Sequence, residues 1–442
     1  MTQSELVDVW PLAPLQEGLF FHARYDEDRA DVYVIQVVFE LDGPLNTEAL
    51  RGAADALLSR HPNLRAGFWD EDLEHPVQLI PADVTIPWYE TDLGRLDEDT
   101  QRDELDRFLA EQRALRFDPA DPPLLRFALV RVGEDRHRLA LTAHHILLDG
   151  WSLPVLYRDL FHLYQHHGDA AGLPPLTPYR DYLAWLGEQD PERAGAAWRK
   201  ALDGLDGPTL VAGAEPERAA ARPDRLDVTL PETLTAELSA LARRLGLTLN
   251  TVVQGSWAIL LQQLTGREDV VFGVTVSGRP PELPGVEGMV GLFINTLPVR
   301  VRLDPAESVA ALLTRIQTDQ TELAEHHYLG LTEIKRLAGH NELFDTLMVF
   351  ESYPVGDIGE QPTFDGLRVS SVTGPDATHY PLSLAVVPGE SLTLRLDYRA
   401  DVFDRGSVEG LVERLGRLLR VVVADSGVLV GGVDLLSGVE RG

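Results

Sequence analysis

The sequence predicts an α/β protein of two lobes, each mixing β-strands with amphipathic helices in an α+β, two-layer arrangement. Three observations lead there. The chain has 442 residues, and single cores stop growing at about 250–300 residues, so two or three domains are expected. Strand-like and helix-like segments occur on both sides of a Pro-rich stretch, Gly172–Leu186 ("GLPPLTPYRDYLAWL"). Hydrophobic residues make up 44 % and charged residues 25 %, the proportions of a soluble globular enzyme.

In chain order, "VYVIQVVFEL" (Val32–Leu41) is rich in β-branched residues and reads as a buried strand. "NTEALRGAADALLSRH" follows, with Leu50, Ala53, Ala54, Leu57 and Leu58 at helical spacing and Asn46 or Thr47 as the cap. "LLRFALVRV" and "HRLALTAHHI" flank "GEDR", which predicts a hairpin. After Gly150, "SLPVLYRDLFHLYQHH" has helical periodicity and ends near Gly168. The boundary between lobes is expected at about residue 175, giving lobes 1–175 and 176–442. "GAAWRKALDGL" then reads as a helix and "GPTLVAGAEPERAAARPDR" as a loop. The second lobe opens with a strand and two helices broken at Gly246. Its strands Val270–Val276 and Leu292–Val301 bracket a loop crowded with Gly and Pro. "DTLMVFESYP" and "SLTLRLDYRADVFD" complete the strands, and "SVEGLVERLGRLLRVVVA" is the last helix.

Composition excludes several function classes. With 39 Lys and Arg against 70 Asp and Glu, the net charge is −31, and a field of that sign opposes binding to nucleic acid. No apolar run reaches the roughly 18 residues of a membrane span, and the N-terminus carries no basic-then-apolar secretory pattern. There is no Cys, so disulfides, thiolate nucleophiles and thiolate metal ligands are absent. A cytoplasmic protein is expected, and any covalent catalysis falls to Ser, Thr, Lys, His or a carboxylate.

The segment that carries chemistry is "AHHILLDGWS", Ala143–Ser152, at a strand-to-helix junction. Two further His-His pairs stand at His166–His167 and His326–His327. Adjacent strand residues point to opposite faces, so His144 and His145 do not chelate one ion. No HExxH or Cys-containing ligand set is present, and no metal is expected. The pairs at 166–167 and 326–327 lie near expected helix ends, where the macrodipole favours histidine. They read as solvated or capping residues, with a substrate-facing alternative for 326–327. The strand before His144 is apolar on both faces, the mark of a buried strand. A histidine there serves equally well as a satisfied core residue or a functional one. Asp149 tips the reading toward function, because a buried carboxylate needs a partner, and Gly150 allows a tight turn into the next helix. The spacing reads as one general base braced by a structural aspartate and leaves open which histidine it is.

"HHILLDG" resembles the HHxxxDG signature of condensation domains of nonribosomal peptide synthetases. Other segments are similar to further core motifs of that family, in the same order. They are "PLAPLQEGLFFH" (Pro11–His22), "RHPNLRAGF" (Arg60–Phe68), "YRDYLAWL" (Tyr179–Leu186), "GVTVSGRPPELPGVEGMVGLFINTLPVR" (Gly273–Arg300), "HHYLGLTEI" and "RLDYRADVFD". The resemblance covers nearly the whole chain. It implies a doubled chloramphenicol acetyltransferase-like fold, two lobes in a V-shaped pseudodimer with a central tunnel. It implies an acyltransfer: the acceptor amine on one carrier protein attacks the donor thioester on another, each substrate arriving on a phosphopantetheine arm. The domain itself is expected to bind no cofactor. Expected partners are the upstream donor and downstream acceptor carrier proteins and an adjoining adenylation domain, with the excised domain monomeric.

Residue by residue, the resemblance places His145 at the reaction centre, with His144, Asp149 and Gly150 completing the motif. It implies an arginine paired with Asp149, for which Arg65 is the candidate and Arg60 the alternative. Trp151, Ser277 and Asn295 are expected to line the tunnel, "VSGRPPELPG" (within about 270–291) to form its floor loop, and "THYPLSLAVVPGES" to be part of a bridge between lobes. "PLQEG" resembles domains that accept a donor ending in a D-residue. An epimerisation relative needs a glutamate motif not found here; ester-forming or cyclising relatives and a silent docking scaffold remain as alternatives. "VDLLSGVERG" resembles the start of a linker to a following domain.

Overall fold

The computed structural model describes residues 5–25, 31–212, 223–351, 363–374 and 378–434. The chain divides into two compact units. The first comprises 1–189, 279–294 and 353–377; the second comprises 190–278, 295–352 and 378–442. Residues 213–222 of the expected loop, the end of "DTLMVFESYP" and the linker-like residues after Asp434 lie outside the described residues. Among the described residues no helix is long and apolar enough to cross a membrane.

The first unit is built on a six-stranded sheet. Its order is Thr363–Phe364, Leu367–Thr373, Val34–Asp42, Arg136–His144, Leu125–Arg131, Trp88–Asp92. The expected hairpin forms, with Leu125 opposite Ala143. Leu139 to Ala143 are all buried, as an apolar run on both faces requires. The helix Thr47–Arg60 begins where its composition places it, with the Asn46 side chain accepting from the Ala49 N–H. It buries Leu50, Ala53, Ala54, Leu57 and Leu58 and packs against the helix Ser152–Gln165. A separate three-stranded sheet, Leu6–Pro11, Val77–Pro81 and Gly67–Trp69, was not legible in the sequence.

The second unit has its own six-stranded sheet, in the order Asn295–Arg302, Asp269–Val276, Thr346–Phe350, Leu382–Val387, Thr393–Tyr398, Asp224–Thr229. The helix Leu249–Thr265, apolar almost all round, is the centre of its core, with Trp257 fully buried.

The chain does not cross from one unit to the other once, near 175. The helix Tyr179–Gly187 stays with the first unit because Tyr179, Tyr182 and Leu183 bury in its core. The loop 279–294 joins that core through Val286, Met289, Val290, Leu292 and Phe293. The segment expected to bridge, around "THYPLSLAVVPGES", instead forms the strand Leu382–Val387 of the second unit's sheet. The strand that extends the first sheet is Leu367–Thr373, paired antiparallel with Val34–Asp42.

Candidate active site at the two-histidine turn

The strand Arg136–His144 ends at the first histidine, and His145 opens a single 3₁₀ turn, His145–Leu147. Both rings are buried. His144 Nδ1 accepts the Ile146 N–H at 3.1 Å, and its Nε2 lies 3.3 Å from Asp31 Oδ2. An Nδ1 that accepts from a backbone amide carries no proton, so the ring proton sits on Nε2. Both nitrogens of His144 therefore face internal groups. The strand alternation separates the two histidines without choosing between them, and the hydrogen bonds show how their surroundings differ.

The turn is held from several distant segments. The His145 N–H donates to the Tyr33 carbonyl at 2.8 Å. Gln16, fully buried in the "PLQEG" segment, donates through Nε2 to Ile146 O at 2.9 Å. Asn63 of "RHPNLR" donates to Leu147 O at 3.3 Å. The Ile146 and Leu147 carbonyls would otherwise need water or another partner, and here side chains from two other motif segments supply it.

Asp149 closes the turn and has no solvent exposure. Its Oδ1 accepts from the Ser152 N–H at 2.9 Å, the Ser152 hydroxyl at 2.7 Å and Arg279 Nη2 at 3.1 Å. Its Oδ2 accepts the Phe293 N–H at 3.1 Å. The expected arginine is thus corrected: the partner is Arg279, not Arg65 and not Arg60. Arg65 donates to Ala82 O at 2.5 Å, and Arg60 is committed to Asp159 at 2.8 Å. Of the "RHPNLRAGF" segment, whose Pro62–Arg65 form a 3₁₀ turn, it is Asn63 and neither cation that reaches the histidine turn. Arg279 also donates to Met289 O at 3.0 Å and stacks with its guanidinium carbon 3.9 Å from the Phe293 ring centroid. Burial pulls the Arg279 guanidinium below its ordinary value, against the pull of Asp149. Gly291, whose carbonyl accepts the Asp149 N–H at 3.0 Å, sits so near Tyr179 that a Cβ there would meet the ring at 2.2 Å.

A model of the condensation domain family matches residues 7–441. The chain belongs to the condensation domain family. It is 34 % identical over 452 aligned residues to one of the linear gramicidin synthase proteins of Brevibacillus parabrevis, a match that covers 100 % of this chain and 6 % of that protein. The chain therefore spans a small fraction of that relative. The first condensation domain of the calcium-dependent antibiotic synthetase, solved with a substrate analogue, superposes with a TM-score of 0.78 at 22 % identity, covering 97 % of this chain and 99 % of that one. The X-domain from teicoplanin biosynthesis, solved in complex with OxyB, gives 0.81 at 25 % identity, covering 99 % and 97 %. These likenesses support the chloramphenicol acetyltransferase-like architecture of each unit.

The other expected positions of this condensation domain fall as follows. Gly150 is half-buried at the turn. Trp151 is half-buried, with its indole N–H donating to Glu287 O at 3.0 Å. Ser277 is exposed, just past the strand Asp269–Val276. Asn295 is buried, and its amide serves the backbone: it donates to His327 O at 2.9 Å and Leu329 O at 2.8 Å, and accepts the Thr296 N–H at 2.9 Å. His166 caps its helix, with Nδ1 2.9 Å from the His162 carbonyl, and His167 takes the left-handed conformation at φ 50° beyond it. His326 and His327 belong to the second unit, and burial pushes the His327 ring down to about 4. Among the described residues no group of three or more His, Cys, Asp or Glu could hold a metal.

Arg60 and His61 instead satisfy Asp159, which is fully buried on the helix Ser152–Gln165. Asp159 Oδ2 accepts from Arg60 Nε at 2.8 Å and His61 Nε2 at 3.0 Å, and Oδ1 accepts from Arg158 Nε at 2.9 Å. Burial pushes the Asp159 carboxyl up, but hydrogen bonds from His61, Arg60 and Arg158 outweigh it and hold it at about 2. A depressed folded value means that the unfolded chain binds more protons in acid, so stability falls as pH falls. Relative to an ordinary carboxyl value of 3.8, the pair network contributes about 2 kcal/mol at neutral pH. That contribution should disappear as pH falls from about 4 to about 2. The comparison is urea unfolding of the parent and Asp159→Asn across that range: the parent curve should be steeper, and parallel curves would refute the assignment.

Proposed function

We propose that this condensation domain forms a peptide bond by direct acyl transfer between two carrier proteins. The acceptor amine attacks the donor thioester carbonyl. The C–N bond forms, the C–S bond breaks, and the amine's proton leaves for the departing sulfur, which becomes the thiol of the donor's phosphopantetheine arm. The observation that carries this reading is the asymmetry of the histidine pair: His144 is locked by internal partners, and His145 follows it on a turn tied down from Tyr33, Gln16, Asn63 and Asp149.

An α-amine has an ordinary pKa of about 7.7–8.0, so much of it is protonated near neutral pH and must lose a proton before or during attack. His145 is the group assigned to hold the amine, take that proton and pass it to the departing sulfur. The thioester is already activated, and positioning of the two arms supplies much of the remaining acceleration. With no Cys in the chain, no thiol relays the acyl group. Partners are the upstream and downstream carrier proteins and a neighbouring adenylation domain, in keeping with the large synthetase to which the relative belongs.

The donor is assigned as ending in a D-residue, on the likeness of "PLQEG" to such domains. The test is a single turnover with both carriers loaded, read by intact mass. The acceptor carrier should gain the donor acyl group, and a D-ended donor should react about tenfold or more faster than its L-epimer, a difference of the size one well-shaped pocket supplies. Equal rates would remove the stereochemical assignment. No transfer at all by a folded chain would move the reading to a docking scaffold.

A further inference from the structure

We infer that Asp31 and His144 form a buried clamp that sets the position of His145, making Asp31 a positioning residue for the transfer. The clamp rests on the reading of His145 as the reacting histidine. Two lines of contact leave the Asp31 carboxylate, one a hydrogen bond and one an ion-pair contact, and both end on the backbone around His145. Through Oδ1, Asp31 accepts the Tyr33 N–H at 3.0 Å, and the Tyr33 carbonyl accepts the His145 N–H at 2.8 Å. Through Oδ2, it faces His144 Nε2 at 3.3 Å, and His144 Nδ1 accepts the Ile146 N–H at 3.1 Å. The amide of His145 and the amide that follows it are thus referred to one carboxylate.

The second line has an energetic argument. Oδ2 of Asp31 and Nε2 of His144 are buried, and among the described residues neither has a well-formed hydrogen bond; the two face each other at 3.3 Å. Leaving a buried polar atom unsatisfied costs about 1–3 kcal/mol, and the 3.3 Å contact is the interaction on offer to both atoms, with the proton on Nε2. The Asp31 carboxyl is accordingly held below its ordinary value: burial raises it, but His144, the Tyr33 amide and Arg116 outweigh that. The first histidine of the pair is a part of the frame whose tautomer is set by Asp31, and the frame sets where the second histidine stands.

The isosteric variant Asp31→Asn separates this from mere packing. An amide has one oxygen, so it cannot accept from both Tyr33 and His144; one line must meet an N–H with an N–H. The transfer rate constant with saturating loaded carriers should fall about 10- to 100-fold, the effect of a small misplacement of a reacting group. The KM for each carrier should stay within about twofold, because the loss is confined to the chemical step. Histidine ¹⁵N spectra of the full chain, with His144 assigned by His144→Gln, should show the parent's His144 protonated on Nε2 only. A proton on Nδ1, or a parental rate in folded Asp31→Asn, overturns the clamp. If Asp31→Asn does not fold, the clamp is read from its other end. His144→Asn, whose Oδ1 can accept the Ile146 N–H, should keep more activity than His144→Leu, and equal losses in folded proteins overturn it. The spectrum is independent of the assigned reaction: a parental rate in His145→Ala would refute the function and leave the clamp to be judged on the tautomer.

Discussion

Replacing His145 by alanine is expected to slow donor transfer by about 10²–10⁴, the usual contribution of a positioned acid–base group. The loss should appear in the single-turnover rate with both carriers loaded and saturating. Carrier binding should hold, because the His145 backbone, which carries the Tyr33 contact, is retained. The size of the loss also separates two roles. A pure positioner leaves the thioester's own reactivity and a residual rate from proximity, so a loss near the lower end with an unchanged pH profile means orientation. A loss near the upper end, with the acidic limb of the profile removed, means proton transfer. A parental rate refutes any essential role.

Breaking the Asp149–Arg279 pair is expected to cost about 3–5 kcal/mol of stability, because either single replacement leaves an opposite charge buried and uncompensated. Asp149 has no exposed side-chain surface and Arg279 only 5 %. The carboxylate also organises three N–H or O–H donors besides the guanidinium, from Ser152 and Phe293. Removing it unties the loop 279–294 from the turn. Urea melts of Asp149→Leu, Arg279→Met and the double variant check this. The double variant should recover a large part of the loss, since replacing both members of a buried pair by apolar groups is often near neutral. Strictly additive losses would show that the pair does not couple. Asp149→Asn should reduce transfer mainly by loosening the same turn; inactivation with fold and local geometry intact would give Asp149 a chemical role.

The central strands and the motif turn were legible because their signals are local. The hairpin around "GEDR", the Asn46 cap and the apolar faces of Val34–Asp42 and Arg136–His144 all depend on residues near each other in the chain. The arginine paired with Asp149 was not, because 130 residues separate the two partners. The one available signal was Arg279 itself, a cation inside a Gly- and Pro-rich run that also carries Val286, Met289, Val290 and Phe293, all buried. The motif segment nearer in sequence pointed instead to Arg65. The roles of Gln16, Asn63 and Asp31 were missed for the same reason: each meets a group of the turn far from it in the chain; Ser152, three residues from Asp149, was a local signal left unread. The lobe boundary was misplaced because a Pro-rich stretch marks where a helix must stop, not which core its successor will join.

By itself the sequence determined the α/β class, the buried strand that ends in two histidines, the glycine-containing turn after them and the absence of thiol chemistry. Those follow from side-chain periodicity, backbone preference and composition, which act over a few residues. The tertiary structure decided which histidine is locked, which arginine neutralises Asp149 and which carboxylate orders the turn. A buried charge or ring nitrogen takes whichever partner packing brings within about 3 Å, the range of a hydrogen bond, and no local pattern in the chain encodes that distance.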